Sequence, residues 1–195
     1  STVYSSEQLL AAEDRLLERS RLLTAPTLDL AQLERFTRRP DRRGLVLGDD
    51  QAAALATVAV SGRVLDALVG PAGAGKTTAM SALRRAWETQ HGQGSVVGLA
   101  PSAAAAQVLG DDLGIVTENT AKWWQDHLVH GTTFHAGQLV IIDEASLAGT
   151  LTLDRITALV AQAGAKALLV GDWAQLQSVD AGGAFSMLVH DRDDA

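Results

Sequence analysis

Residues Leu68 to Met80 read "LVGPAGAGKTTAM", with three glycines placed directly ahead of a lysine and two threonines. A loop so rich in glycine is entropically costly to order, so its bare backbone must serve a purpose that side chains would obstruct. Successive N–H groups can point into one concavity, and a helix starting directly after adds the positive end of its dipole. Such a cradle suits phosphate. Gly70, Pro71, Ala72, Gly73, Ala74, Gly75, Lys76 and Thr77 satisfy GxxxxGK[ST] at every fixed position, and Thr78 closes the stretch. In that pattern the lysine, Lys76, reaches the β- and γ-phosphates of a nucleoside triphosphate, and the Thr77 hydroxyl binds Mg²⁺. At ordinary glycine usage, a chance match in a chain this long falls below roughly one per cent.

Two further constellations decide the chemistry. In "LVIIDEAS" an apolar run ends in adjacent carboxylates, Asp143 and Glu144. Neighbours on a strand point to opposite sides, but where the strand ends the chain turns and both can face one site. Asp143 is expected to hold the Mg²⁺ shell, and Glu144 to orient and deprotonate an attacking water. A glutamate in that place points to hydrolysis by water rather than phosphoryl transfer to a bound metabolite. In "ALLVGDWAQLQSV" another apolar run ends at Gly171 and Asp172, with Gln175 three residues beyond. A polar side chain there can hydrogen-bond the γ-phosphate and sense its loss, so Gln175 joins Lys76 and Glu144 as a candidate catalytic residue.

These residues need a scaffold that brings them to one edge. From Leu45 onward, apolar runs ("VLDALVG", "SVVGLA", "QLVIIDEA", "AKALLVGD") alternate with helical segments ("KTTAMSALRRAWETQ", "SAAAAQVLG", "LTLDRITALVAQAG"). Continuously apolar strands alternating with helices indicate an α/β domain: a parallel sheet covered by helices on both faces. "GDDQAAALATVAV" reads as a helix capped near Asp49. Ahead of it, residues 1–44 read as a small helical appendage to a main domain at 45–195. Its first helix starts with the capping-box pattern at Ser5 and Gln8 and runs to about Leu23. Leu9, Leu16 and Leu23, with Leu10 and Leu17, form its apolar stripe. A second helix is capped at Asp29 and turns Leu33 and Phe36 inward. "RRPDRRG" ends it, and its Arg38, Arg39, Arg42 and Arg43 are expected in a solvated, salt-bridged turn.

Composition limits the classes of function. The 195 residues are 47% hydrophobic and contain no cysteine, which excludes disulfides and thiolate metal sites and fits a reducing cytoplasm. No apolar stretch nears the roughly 20 residues of a membrane span, so no membrane partner is expected. The formal net charge of −7 is uneven: residues 1–44 carry eight arginines and seven acids, residues 45–195 eight bases and sixteen acids. An acidic main domain argues against a strong grip on duplex DNA and leaves room for a narrow single-strand path.

The chain resembles the RecD-like superfamily 1 DNA helicases, especially the helicase part of conjugative relaxase–helicases. Five stretches carry the resemblance in family order: "GPAGAGKTT", "APSAAAAQVL", "TENTAKWW", "IIDEAS" and "GDWAQLQSVDAGGAF". "DDQAAAL" resembles the family's glutamine motif, which implies that Gln51 recognises adenine. The resemblance implies a RecA-like P-loop NTPase fold, ATP and Mg²⁺ as cofactors, and 5′-to-3′ translocation on single-stranded DNA. It places Pro101, Ser102, Thr120 and Lys122 on the DNA backbone. Trp123, Trp124 and Trp173 are candidates for base stacking, with core packing favoured for at least one of the adjacent pair and for Trp87. Family members continue into a second RecA-like domain with an arginine finger, so the chain is expected to be one domain of a larger protein. None of its own arginines lies in a motif that could act as that finger, and the domain alone is expected to be nearly inactive. The expected partners are the remainder of that protein, including a relaxase domain, and the conjugation machinery. DNA cleavage itself is not implied, because Tyr4 is the only tyrosine and no three-histidine metal site is evident. His127, His130 and His135 are expected at the surface. Two rival readings are an ATPase switch coupled to a protein partner, and a non-catalytic DNA- or protein-binding domain with a vestigial nucleotide site.

Overall fold

A computed structural model describes residues 5–70, 74–172 and 183–193. Five strands form one sheet: β1 (Leu65–Gly70), β2 (Val96–Ala100), β3 (Val116–Asn119), β4 (Leu139–Ile142) and β5 (Lys166–Asp172). Their spatial order is β1-β5-β4-β2-β3, and all pairings are parallel. The helices are α1 (Ser6–Arg21), α2 (Leu30–Thr37), α3 (Asp49–Val60), α4 (Ala74–His91), α5 (Ala103–Leu113), α6 (Thr120–His130), α7 (Thr150–Ala163) and α8 (Gly183–Asp193). The expected parallel sheet with helices on both faces is present. β3 is the strand that hydrophobicity did not reveal. It lies at the sheet edge, Val116 is exposed, and its four residues carry too little apolar character to register.

The central strands are apolar throughout because each face has its own core. Leu139 and Ile141 of β4, with Leu168 and Val170 of β5, pack with Leu33, Leu55, Leu83, Trp87 and Leu109 from α2 to α5. The alternate residues Val140, Ile142, Ala167 and Leu169 pack with Leu16, Trp123, Ile156 and Phe185 from α1, α6, α7 and α8. Strand geometry sends successive side chains to opposite faces, so both faces need apolar side chains. Gly98 in β2 has a steric reason: a Cβ there would sit 2.7 Å from Leu109 Cδ2 and 3.0 Å from Thr117 Cγ2. Its absence lets α5 lie close against the β2–β3 edge.

The N-terminal helices add to both cores. The Ser5–Gln8 capping box forms as expected, but the leucine stripe of α1 does not bury as a whole. Leu16 is fully buried and Leu17 packs partly against the core, whereas Leu10 and Leu23 are exposed and the helix ends at Arg21. Charge adds to this packing. Arg15 Nη2 lies 2.7 Å from Asp154 Oδ2 and Arg19 Nη1 lies 2.5 Å from Asp154 Oδ1, so one α7 carboxylate holds two arginines. Burial pushes the Asp154 carboxyl up, but the two guanidiniums outweigh it and hold it below the ordinary value. On the other face, the Asp29 side chain makes no cap bond; its N–H instead donates to Gln90 Oε1 at 3.0 Å. Asp49 likewise begins α3 as its first helical residue, and Gly48 takes the cap position.

A second buried charge pair closes the lower end of the sheet. Lys166 Nζ, fully buried, donates to Arg63 O at 2.8 Å and lies 3.1 Å from both Ser61 Oγ and Asp66 Oδ2. Burial, assisted by the Arg63 charge, lowers the Lys166 pKa to about 7. No helix among the described residues is long and apolar enough to cross a membrane.

Candidate functional site

In parallel sheets of this kind, ligands bind beyond the carboxyl ends of the strands. Every candidate residue within the described part lies at or beside that edge. Gly70 ends β1 beside Asp172 at the end of β5. β5 pairs on its other side with β4, which leads into Asp143, so the β5 end stands between the glycine loop and the acidic pair. Pro101 and Ser102 follow β2, and Thr120 follows β3.

The glycine loop feeds the first turn of α4, where Lys76 and Thr77 lie. Two glycines show how tightly the parts approach. A Cβ on Gly70 would come within 3.3 Å of Lys76 Cγ, and one on Gly75 would lie 2.6 Å from Gln51 Nε2. The α3 glutamine therefore rests against the cradle. Lys76, Thr77 and Asp143 line a single cleft of about 330 Å³, together with Arg43 and Asp112. An ammonium, a hydroxyl and a carboxylate converging there match the donor set for a nucleoside triphosphate with Mg²⁺. The residues present fit that group. Pro71, Ala72, Gly73 and Gln175 lie outside the described residues, as does Trp173.

The backbone turns sharply at the acidic pair. Glu144 adopts φ 49° and ψ 44° and is the only non-glycine residue with positive φ among the described residues. Left-handed backbone costs an ordinary side chain about 1–2 kcal/mol, and such strain clusters at functional sites. The turn brings the Glu144 N–H back onto Asp143 Oδ1 at 2.9 Å, while the Asp143 N–H still pairs with Leu99 O at 2.9 Å. Asp143 thus ends the sheet ladder, and Glu144 begins a tight 3-10 turn over Ala145–Leu147.

Thr78 and the arginine-rich turn gain partners from distant segments. The Thr78 hydroxyl is buried and donates to Asp41 Oδ2 at 2.8 Å, so any part Thr78 has in the cradle rests on its backbone N–H. Of the four arginines assigned to a solvated turn, Arg38 pairs loosely with Glu34 at 3.8 Å and Arg39 lies over the Phe36 ring. Arg43 is exposed and pairs with Asp112 at 4.0 Å, as a solvated, salt-bridged turn requires, and it also borders the cleft of Lys76 and Asp143. Sequence spacing gave no signal for this, because the turn reaches α4 only through tertiary folding.

Beyond the strand ends lies a second groove of about 320 Å³, lined by Pro101, Thr120, Trp124, Gln125, Thr152 and Arg155 among others. Of the four residues assigned to DNA, Pro101 and Thr120 line it, although the Thr120 hydroxyl already donates to Ala100 O at 3.0 Å. Ser102 and Lys122 do not line it. The Ser102 hydroxyl caps α5 by accepting from the Ala105 N–H, and Lys122 pairs with Glu118 at 3.2 Å. The tryptophans divide as their surroundings require. Trp123 is buried against Phe134, with ring centroids 4.3 Å apart, and Trp87 is buried with its Nε1–H on Gly137 O at 2.9 Å. Trp124 borders the groove, and the Arg155 guanidinium lies 5.6 Å from its ring centroid. Arg155 was missed because it sits in an otherwise ordinary amphipathic helix. His127 packs on Trp123, and its Nδ1 lies 2.7 Å from Thr132 O.

A parallel five-stranded sheet with a glycine cradle, an acidic strand end and an intervening strand is that of a RecA-like P-loop NTPase. Residues 46–195 match the AAA domain family, and the chain belongs to it. Its sequence is also similar to one stretch of longer conjugal transfer proteins. The conjugal transfer protein TraA of Rhizobium radiobacter is 41% identical over 150 residues, which cover 74% of this chain and 13% of that protein. The TraA protein of Agrobacterium fabrum is 38% identical over 149 residues, covering 73% and 13% respectively. The chain therefore spans about an eighth of the length of these relatives. Among solved structures, the UvsW helicase from bacteriophage T4 superposes with a TM-score of 0.55 at 14% identity, covering 83% of this chain and 65% of that one. That likeness concerns the fold alone.

Proposed function

We propose that this chain is the ATP-binding motor domain of an ATP-dependent single-stranded DNA translocase, acting within a longer conjugal transfer protein. The observation that carries the reading is the convergence of Lys76, Thr77 and Asp143 on one cleft, with Glu144 held in left-handed backbone directly beside Asp143. The glycine loop and Lys76 bind the triphosphate, Thr77 and Asp143 hold the Mg²⁺, and Gln51 against Gly75 reads the base. Mg²⁺ held there would neutralise charge on the triphosphate. Glu144 takes the proton of the attacking water as the bond from the γ-phosphorus to the β–γ bridging oxygen breaks, leaving ADP and phosphate. Gln175 responds to loss of the γ-phosphate.

The groove of Pro101, Thr120, Trp124 and Arg155 is the proposed single-strand path. Base stacking on an aromatic ring contributes ~1–3 kcal/mol, and Arg155 supplies a charge for the DNA backbone. Polarity is 5′-to-3′ by family likeness. A second RecA-like domain of the longer protein completes the motor, with the relaxase domain and conjugation machinery as further partners in the cytoplasm. Residues 1–195 alone then bind ATP, hydrolyse it barely above background and respond little to DNA.

Calorimetry with Mg-ATP tests the core of the reading. Lys76→Ala is expected to lose binding, because the triphosphate loses a charge-assisted partner. Equal affinity in the wild type and variant would overturn the assignment. Phosphate release with and without single-stranded DNA tests the rest: robust, DNA-stimulated turnover by these residues alone would contradict the two-domain motor.

A further inference from the structure

We propose that Arg43 is a nucleotide-contacting residue, delivered by the turn after α2 to the γ-phosphate of the bound triphosphate. The inference rests on the nucleotide reading above and adds to it a cation from outside every helicase motif.

The turn is held rigidly in place. Asp41 Oδ1 accepts from the N–H groups of Arg43 at 2.8 Å and Leu45 at 2.9 Å. The Asp41 N–H donates to Leu45 O at 2.8 Å, and the Gly44 N–H donates to Asp41 O at 2.9 Å. Gly44 sits at φ +79°, which an ordinary side chain would resist. The other carboxylate oxygen, Oδ2, accepts from the Thr78 hydroxyl at 2.8 Å. Thr78 directly follows Thr77, so the turn is bolted to the first part of α4 at the phosphate end. The bonds from Leu45, Thr78 and Arg43 outweigh desolvation and keep the Asp41 carboxyl below its ordinary value.

The anchor places Arg43 beside Thr77 in two adjoining clefts. It shares one with Lys76 and Asp143, and the other, of about 220 Å³, with Ser81, Arg84 and Arg85. The guanidinium is held weakly there. Its ion pair with Asp112 spans 4.0 Å, with the two side chains 59% and 34% exposed. A pair so long and so wet contributes little. A phosphate offers the same guanidinium a short, bidentate, charge-assisted contact. Thr77 and Asp143 would hold the Mg²⁺ that accompanies the triphosphate, so an arginine in their cleft would meet the phosphate end of the nucleotide rather than the base. Asp112 is then the partner from which ATP draws Arg43 away. The contact is made with bound substrate, so it raises affinity rather than acting as a finger on the rate.

The test measures Mg-ATP and Mg-ADP affinity for the 195-residue chain and three variants. Arg43→Ala is expected to weaken Mg-ATP about tenfold or more, with a much smaller effect on Mg-ADP, so the ATP-over-ADP ratio falls. Arg43→Lys should recover only part of that ratio, because an ammonium lacks the bidentate fork. Asp112→Ala should change Mg-ATP affinity little, because the pair it removes is long and wet. Equal loss of ATP and ADP, or an unchanged ATP affinity in Arg43→Ala, would overturn the proposal while leaving the nucleotide site standing. Failure of the wild type to bind Mg-ATP would overturn the site itself and the proposal with it. If Arg43→Ala melts early, Arg43→Lys decides: a lowered ATP-over-ADP ratio supports the contact, and an unchanged ratio refutes it.

Discussion

Glu144 offers a perturbation in which stability and activity should move in opposite directions. Its φ of 49° and ψ of 44° impose about 1–2 kcal/mol on a residue with a Cβ. Glycine removes that strain but adds about 0.5–1 kcal/mol of unfolded-state entropy. Glu144→Gly is therefore expected to stabilise the chain by up to about 1.5 kcal/mol, raising the melting midpoint by roughly 2–4 °C per kcal/mol at this size. Glu144→Gln keeps the Cβ and hence the strain, so its midpoint should stay at the wild-type value. Both substitutions remove the proposed proton acceptor, and in a chain extended to include the rest of the proposed motor both should lower turnover by about 10²–10⁴-fold. Nucleotide affinity should remain in Glu144→Gln. Thermal melts, Mg-ATP calorimetry and phosphate release read the three quantities separately. A Glu144→Gly midpoint below that of Glu144→Gln would refute the strain argument and mean that the side chain contributes contacts. Undiminished turnover in Glu144→Gln would move the base to another residue.

Other expectations concern the framework around the site. Asp154→Ala leaves Arg15 and Arg19 without their shared carboxylate and should cost about 2 kcal/mol, seen as lower resistance to urea and earlier proteolysis of α1. Because the folded Asp154 pKa is lowered, its stabilisation is complete above the ordinary carboxylate value and is lost as pH falls below about 4; an acid titration with no difference between wild type and Asp154→Ala would contradict this. Gly98→Ala should destabilise by about 1–3 kcal/mol, since the new Cβ meets Leu109 at 2.7 Å; a neutral urea midpoint would show that α5 can retreat. Lys166 has a folded pKa of about 7, so between pH 7 and about 10.5 the unfolded chain binds more protons and stability should rise with pH, by at most about 1.4 kcal/mol per unit. Urea unfolding at several pH values should show that slope in the wild type and not in Lys166→Met combined with Asp66→Asn.

The candidate motifs that depend on spacing within one segment were legible from residues alone. Gly70 to Thr77 must be contiguous to curl around a phosphate, and Asp143 with Glu144 must follow an apolar strand, so local order carries both signals. The parallel sheet was equally legible, because strands with a core on each face are apolar at every position. Edge strand β3 was not, having too few apolar residues to register. Contacts between distant segments were decided only by tertiary structure. Nothing in "RRPDRRG" announces that Asp41 will meet the Thr78 hydroxyl and carry Arg43 into the cleft of Lys76. The same holds for Asp154, which gathers two arginines from α1, and for Lys166, whose partners lie at Ser61, Arg63 and Asp66. It holds also for the two tryptophans, adjacent in sequence, of which Trp123 faces the core and Trp124 the groove. Periodicity reports which side of an element is apolar; which charged or aromatic groups meet across elements depends on how the helices dock on the sheet, and that docking is set by packing between distant segments.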